Sequence, residues 1–511
     1  MQNTVSTKDK LTSLMLQMQE IIMEDYEDNA DIQDAFNALA ARAEKAVYGG
    51  QTSNEALEKL RSSLSSARSE ALEAQSSRTG RSKIISDQID ALGPIPEDSE
   101  TEAKDISELR LSLSKQLAVA RAPLIVAEEA FRRANGLISE IDKTIRERSA
   151  SVFLKLGVSP LSPNTWGPMV SDIKKYFGQV SSEVSQSLNN PSSNVIRSNN
   201  LPGIIFFAIL GLALIFPATK WVSQNMSVAN QRHDAKLKKI TYLAFSCLVF
   251  ILPLLGICFL IRSTEMLDIF GYRGGALTQA IMAMSIAVVG SYWLAHNLFK
   301  ETGLTRELLG IESNRLVGAY TVTILMGVVL GLYWLIGDLK QLADLSETSI
   351  AVMEFPLLLI GSYGLITFSQ RVKMYRARLI LEKKITPISD RLSSSILMLT
   401  MATGLAGPIS AAIGYSNIGS KLVFATILTL AVLFALFVVF TMIAYLFSEI
   451  IIKNQNKDVQ ESTPKGSLFR VFLAFILACC AIPLLALIWG ARVVDIQDVW
   501  LSLKDGVVLG D

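Results

Sequence analysis

The chain has 511 residues, of which 50% are hydrophobic and 19% are charged, and its formal net charge at pH 7 is +1. This near-zero charge, together with the lack of a zinc-finger or RNA-binding pattern, argues against a nucleic-acid partner. All four cysteines fall inside apolar runs, so neither a disulfide framework nor a CxxC metal site is expected; they are Cys247, Cys258, Cys479 and Cys480.

The first two hundred residues contain no apolar run of the roughly 20 residues that a membrane-spanning helix needs. Apolar residues instead recur there at alternating spacings of three and four, the pattern of one stripe along a helix. Strand-like alternation is absent, and we expect an antiparallel helical hairpin or bundle. The two stripes are Leu57, Leu60, Leu64, Ala67, Ala71 and Ala74, then Ile106, Leu109, Leu113, Leu117, Ala120, Leu124, Ala127, Phe131, Ala134, Ile138, Ile141 and Ile145.

Two proline-containing motifs interrupt this helical region. The first, "LGPIP", lies between the two stripes and predicts a turn formed by Leu92, Gly93, Pro94 and Pro96. The second, "SPLSPNTW", begins at Ser159 and follows the end of the long stripe. Its second serine suits a helix N-cap and the next proline suits the first helical position, so we expect a corner that redirects the chain. The residues of this corner are Ser159, Pro160, Leu161, Ser162, Pro163 and Trp166.

Eight apolar runs long enough to span a bilayer follow from residue 201 onward. The fold class is therefore an all-α membrane protein, with an amino-terminal helical hairpin or bundle domain followed by about eight transmembrane helices. We assign residues 1–200 to the helical domain, 201–490 to the transmembrane region and 491–511 to a connector. The predicted spans are Leu201–Val222, Thr241–Ile261, Gly275–Phe299, Leu316–Gly337, Ile350–Ser369, Ile396–Ile413, Leu422–Phe447 and Val471–Gly490.

The distribution of cations between the loops predicts the orientation. Loops after the first, third, fifth and seventh spans carry five, three, seven and four lysines or arginines, whereas the alternate loops carry two, one, one and two. Because positive loops stay in the cytoplasm, the amino-terminal domain and the carboxyl end are expected outside it. The first twenty residues show no secretory signal, which leaves an internal start, a removed signal or an inverted orientation open, with inversion the least favoured.

Several features of the spans are candidates for a structural or functional role. "GLAGP" supplies a candidate hinge at Gly404, Gly407 and Pro408, although an ordinary proline kink also explains it. "GVVLG" places Gly327 and Gly331 four residues apart, which permits close helix packing and, less readily, dimerisation.

A basic amphipathic segment follows the fifth span. It offers possible contacts to anionic lipid headgroups, or is a plain cytoplasmic loop; its cations are Arg371, Lys373, Arg376, Arg378, Lys383 and Lys384.

No catalytic motif is recognisable, and the two histidines lack nearby partners for a triad or metal site. We therefore expect neither an enzyme nor a bound cofactor or metal. Secondary carriers place ionisable groups at the membrane midplane. The only acidic residue inside a predicted span is Glu354, near one end, where an interfacial position is expected.

The two proline motifs, in this order with a long charged helix between them, resemble the periplasmic domain of large bacterial members of the mechanosensitive channel of small conductance family. The resemblance covers roughly residues 57–166 and implies location in the bacterial inner membrane, contact with the bilayer, and a homo-oligomer, a heptamer when the pore is present. The family's pore helices and cytoplasmic β-rich domain are absent from this chain, which suggests the part that precedes a pore.

The resemblance implies a sensor portion of a tension-gated channel involved in osmotic protection. Two other classes stay open: a secondary transporter, and a membrane scaffold whose outer helical domain binds an unknown periplasmic partner.

Overall fold

The computed structural model describes residues 33–50, 52–93, 104–229, 235–299, 317–342, 345–381, 387–447 and 464–505. Throughout these residues the regular structure is helical and no strand occurs, which confirms the all-α prediction. The chain divides into two compact units, Met1–Val152 and Phe153–Asp511. Residues 153–200 therefore belong with the membrane helices, whereas the sequence analysis placed them in the amino-terminal domain.

The described residues of the first unit form three helices: α1 over residues 33–48, α2 over Asn54–Ala91 and α3 over Lys104–Phe153. α1, which the sequence analysis did not predict, packs its small side chains against the two predicted stripes. Its core contains Phe36, Ala40, Ala43, Ala46, Leu57, Leu64, Ala134, Leu137, Ile138, Ile141 and Ile145. The stripe on α3 is only partly covered within this unit, because Ile106 and Leu109 are exposed.

Polar contacts fix the register of the three-helix core. The guanidinium of Arg61 pairs with Asp142 at 2.7 Å, with both side chains largely buried. Arg133 of α3 pairs with Glu44 of α1 at 2.9 Å. Burying such a pair is favourable only when its geometry is good and its remaining groups are bonded, so these contacts specify the helix register more than they add stability.

The turn predicted at "LGPIP" begins as expected. α2 ends at Ala91 with Leu92 as its C-cap, and Gly93 adopts a left-handed backbone conformation with φ of +75°. Arg110 of α3 donates hydrogen bonds to the carbonyl oxygens of Gly93 and Leu92 at 3.0 and 3.3 Å. The glycine is required because residues with a side chain rarely adopt this conformation. Pro94 and Pro96 lie outside the described residues.

The second unit contains the remaining helices of the described residues and a short π-helical turn at Leu214–Ala218, which surrounds Pro217. Their bounds are α4 Trp166–Asn189, α5 Pro191–Ala213, α6 Thr219–Ala229, α7 Ala235–Met266, α8 Tyr272–Phe299, α9 Val317–Leu342, α10 Glu347–Leu381, α11 Pro387–Ile413, α12 Ser416–Phe447, α13 Pro464–Trp489 and α14 Val493–Asp505.

Eight helical segments in the described residues are long and apolar enough to cross a membrane, one for each predicted run. The chain is thus a multi-pass membrane protein. In chain order the spans are Pro191–Asn225, Leu243–Met266, Tyr272–Phe299, Gly318–Lys340, Glu347–Arg376, Ser393–Ile413, Ser416–Ala444 and Leu468–Trp489. α5 and α6 together form span 1, and α7 to α13 supply spans 2 to 8.

The centre of the membrane unit is formed by α8, α9, α10 and α12, which share one apolar core. Spans 4 and 5 have 44% of their most apolar segment buried, against 11% for spans 1 and 8. Few residues in the most apolar segments of spans 1 and 8 are therefore buried within the unit.

Candidate functional site: a segment docked on the span ends

Residues 155–190, here called the docking segment, run along the ends of several spans. Within the docking segment, the amide of Gly157 donates a hydrogen bond to the carbonyl oxygen of Gly414 at 3.0 Å. The hydroxyl of Ser159 donates to the carbonyl oxygen of Ala412 at 2.6 Å. Both acceptors lie at the carboxyl end of α11, where helix carbonyls lack partners inside the helix. The docking segment therefore caps span 6.

Gly414 is the residue that allows this approach. It has a φ of +120°, which side chains disfavour, and a Cβ there would lie 2.6 Å from the carbonyl oxygen of Gly157. Two backbones meet here without side chains between them, so both the conformation and the contact require glycine.

The "SPLSPNTW" corner is held by its own backbone and by Trp166. The amide of Ser162 donates a hydrogen bond to the carbonyl oxygen of Ser159 at 3.1 Å. The indole nitrogen of Trp166 donates one to the carbonyl oxygen of Pro160 at 3.0 Å. Ser162 occupies the N-cap position with Pro163 next, as predicted, but it makes no capping bond through its side chain. A single turn of 3₁₀-helix at Pro163–Thr165 precedes α4. Leu161 is exposed.

The first half of α4 is bonded to the start of α10. The Asp172 carboxylate accepts hydrogen bonds from the hydroxyls of Ser349 at 2.6 Å and Ser346 at 2.9 Å. These bonds stabilise the charged form and lower the pKa of Asp172, despite a smaller opposing effect of burial. Because the pKa of Asp172 is depressed, its hydrogen bonds stabilise the folded protein fully above the ordinary pKa of an aspartate, about 4. This stabilisation is lost as the pH falls from there through the lowered pKa of the folded state. Nearby, Lys155 pairs with Glu347 at 2.6 Å, although both side chains are exposed and contribute little.

The second half of α4 is bonded to the connection between α7 and α8. Arg273 at the start of α8 pairs with Glu183 at 3.0 Å, and the Tyr176 hydroxyl donates to the carbonyl oxygen of Arg273 at 3.2 Å. Burial raises the pKa of Tyr176, and the Glu183 carboxylate raises it further. The hydroxyl of Ser187 donates to the carbonyl oxygen of Asp268, just beyond α7.

Taken together, these bonds place three span connections on one face of the membrane unit. The connections between spans 2 and 3, 4 and 5, and 6 and 7 all touch the docking segment, which itself precedes span 1. This is the arrangement that eight alternating crossings produce. The contacts hold spans in position, and the described residues contain no group of three metal-binding side chains. The arrangement joins the ends of several spans to one stretch of chain.

Sequence reasoning did not identify Asp172, Glu183, Ser346 or Ser349 as contact residues. Their partners are 90 or more residues away, and no local pattern indicates such pairs. One signal was available in the sequence. Arg273 is one of the few cations in the cation-poor loops, and a rare charge of this kind indicates a specific partner.

Glu354 is the one acidic residue inside a predicted span. It lies about two turns into α10 and accepts a hydrogen bond from Ser420 of α12 at 2.6 Å. One turn beyond Ser420, Phe424 stacks on Tyr333 of α9 with ring centroids 3.8 Å apart. The side chain therefore faces another helix, and its interfacial position stays a prediction.

The two glycines of "GVVLG" lie where α9 contacts α8. A Cβ at Gly327 would overlap the Ser291 side chain, and one at Gly331 would lie 2.9 Å from the carbonyl oxygen of Met284. Both glycines therefore allow the two helices to approach closely.

The candidate hinge residues lie inside α11, which continues through Pro408 without ending. A Cβ at Gly407 would overlap Val423 of α12, and one at Gly404 would lie 3.1 Å from Ile366 of α10. The structure thus gives both glycines a packing position, and a hinge at this point stays a prediction.

Part of the predicted basic segment belongs to the last turns of α10. The guanidinium of Arg371 lies against Gly318 at the start of α9, where a Cβ would overlap it. Lys373 is exposed and the Arg376 side chain is partly buried. The side chain of Arg378, and the whole of Lys383 and Lys384, lie outside the described residues.

Comparison with known proteins gives one match. The sequence model of a family described as a protein of unknown function (DUF3772) matches residues 124–186. This stretch comprises the second half of α3, the "SPLSPNTW" corner and most of α4. No curated protein and no solved structure matches the chain. The similarity therefore concerns the segment that contains most of the docking contacts.

Proposed function

We propose that this chain is the periplasmic and membrane-sensor portion of a tension-gated ion channel of the bacterial inner membrane, with a role in osmotic protection. The observation that carries the proposal is the docking segment. Its hydrogen bonds join the end of α11, the start of α10 and the α7–α8 connection to one continuous stretch of chain. A displacement of one span therefore acts on the others.

The lipid exposure of the outer spans supports the same proposal. Spans 1 and 8 bury little of their apolar surface within the unit, so their tilt depends on bilayer thickness. Mismatch between a span and the bilayer costs fractions of a kcal/mol per Å, and this cost accumulates over several spans. Thinning under tension would shift how the peripheral spans sit against the central core.

The distribution of cations supports a periplasmic location for the first unit, the docking segment and the carboxyl end. The resemblance of the two proline motifs supports a homo-oligomeric channel, a heptamer in that family. The exposed start of the α3 stripe, at Ile106 and Leu109, leaves room for a periplasmic partner on the first unit.

Patch recording of the native gene product that contains this chain tests the proposal. We expect tension-activated currents whose opening pressure changes when residues 191–489 are deleted. Cells that lack the gene should also survive a hypo-osmotic shock less well. Opening at an unchanged pressure after the deletion, or the absence of any tension-activated current, would contradict the proposal.

A secondary transporter is the second candidate, and Glu354 is the observation that favours it. A carboxylate that accepts a hydrogen bond between two membrane helices resembles the ionisable groups of carriers. Glu354→Gln separates the two functions, because it should abolish solute uptake by a carrier. In a tension-gated channel it should leave tension-activated opening in place.

A further inference from the structure

α4 carries an exposed apolar stripe beside the side that is bonded to the span ends. Trp166, Val170, Phe177 and Leu188 are exposed, and their spacings of four, seven and eleven residues place them on one side of the helix. The buried Tyr176 lies on the adjacent side. Phe177 packs edge-to-face against the ring of Tyr176, with ring centroids 5.9 Å apart, but its side chain is 61% exposed.

The contacts of α4 fix its depth relative to the spans. Asp172 bonds the start of α10, Tyr176 and Glu183 bond the start of α8, and Ser187 bonds the connection after α7. Successive turns of one helix thus touch the ends of three spans on the same face. α4 therefore lies across the span ends, at the level where the hydrocarbon region stops.

The exposed stripe is continuous with a lipid-facing surface. α4 is separated from α5 only by Asn190, and α5 exposes Leu201, Ile205, Phe206 and Ile209 along span 1. The amine-bearing side chains of Lys174 and Lys175 are also exposed on α4. An apolar stripe with neighbouring cations is the composition of helices that lie in the membrane interface.

We propose that α4 is an interfacial helix that binds phospholipid. Trp166, Val170, Phe177 and Leu188 insert at the boundary between headgroups and acyl chains, and Lys174 and Lys175 contact the phosphate groups of anionic lipid. The docking segment is thereby in direct contact with lipid as well as with the span ends. This inference does not depend on channel activity, so its failure and the failure of the proposed function are distinguishable.

The test uses spin labels on the full chain in liposomes of phosphatidylcholine and phosphatidylglycerol. The four native cysteines are replaced by alanine, and single cysteines are introduced by Phe177→Cys on the stripe or Ser182→Cys on the exposed polar side. Collision rates with oxygen, which concentrates in lipid, and with a water-soluble nickel complex are then measured for each label.

We expect the label at position 177 to have an oxygen-to-nickel collision ratio several-fold higher than the label at position 182. Replacing Lys174 and Lys175 by glutamine should lower the ratio at 177 in vesicles that contain phosphatidylglycerol. Equal ratios at the two positions would overturn the proposal. A label at 177 that neither reagent reaches would also overturn it, because a protein surface would then cover the stripe.

Discussion

Gly331 of α9 shows how one residue sets the distance between two helices. The missing side chain leaves room for the backbone of α8, because a Cβ would lie 2.9 Å from the Met284 carbonyl oxygen and 3.3 Å from the Met284 Cα. Backbone atoms cannot rotate away as a side chain can. A substitution must therefore separate the helices or strain them.

We expect Gly331→Ala to destabilise the membrane unit by about 1–3 kcal/mol, the usual cost of overpacking a well-packed interface. Gly337→Ala is the matched control on the same helix, because nothing lies within 4 Å of a Cβ there. Unfolding of the purified protein in a mixed detergent of increasing denaturing strength measures the difference. Equal midpoints for the two variants would show that the close approach is not required.

The sequence predicts the packing role of Gly327 and Gly331 better than the position of a polar residue such as Glu354. A spacing of four between small residues is a local pattern with one common structural meaning. Glu354 had no such pattern, and its position near a span end suggested the headgroup region. Only the hydrogen bond from Ser420, on a helix distant in sequence, shows which way the carboxylate points.

At the scale of elements, the backbone contact between Gly157 and Gly414 attaches the first residues of the docking segment to the end of α11. We expect Gly414→Ala to release residues 155–159 from α11, because the alanine would need a strained φ and would overlap the Gly157 carbonyl. The exposed Lys155 then provides the readout. Trypsin should cleave the purified protein after Lys155 several times faster in the variant.

Gly490→Ala is the control for this effect. Gly490 also ends a membrane helix with a positive φ, of 107°, but nothing lies within 4 Å of a Cβ there. The Gly490→Ala variant should therefore have the same backbone strain but should not accelerate cleavage after Lys155. Equal acceleration in both variants would mean that backbone strain alone, and not the lost contact, exposes the segment.

The helices themselves were largely predictable and the docking segment was not. Apolar runs and stripes depend on local spacing, so the eight spans and two of the three helices described in the first unit followed from the sequence. The corner at Ser159 was predicted as a turn, but its attachment to Ala412 joins residues 253 positions apart. α1 was missed because its core side chains are mostly alanines, which form a weak apolar pattern.

For the whole molecule, the charge pattern of the loops agrees with the contacts of the docking segment. Cation-poor loops, which the charge pattern assigns to one side, are the loops that the docking segment touches. The contacts and the charges are independent observations, because the bonds involve Asp172, Ser349, Tyr176 and Ser187 and not the cations of the opposite face. The charge pattern predicts that the docked face is the outer one.

Cysteine accessibility in spheroplasts tests this topology most directly. In a background without the four native cysteines, Ser171→Cys places a thiol on the exposed side of α4 and Lys373→Cys places one at the opposite end of span 5. We predict that a membrane-impermeant maleimide labels position 171 in intact spheroplasts and position 373 only after lysis. Labelling of 373 in intact spheroplasts with 171 protected would contradict the topology and the tension-sensor proposal with it.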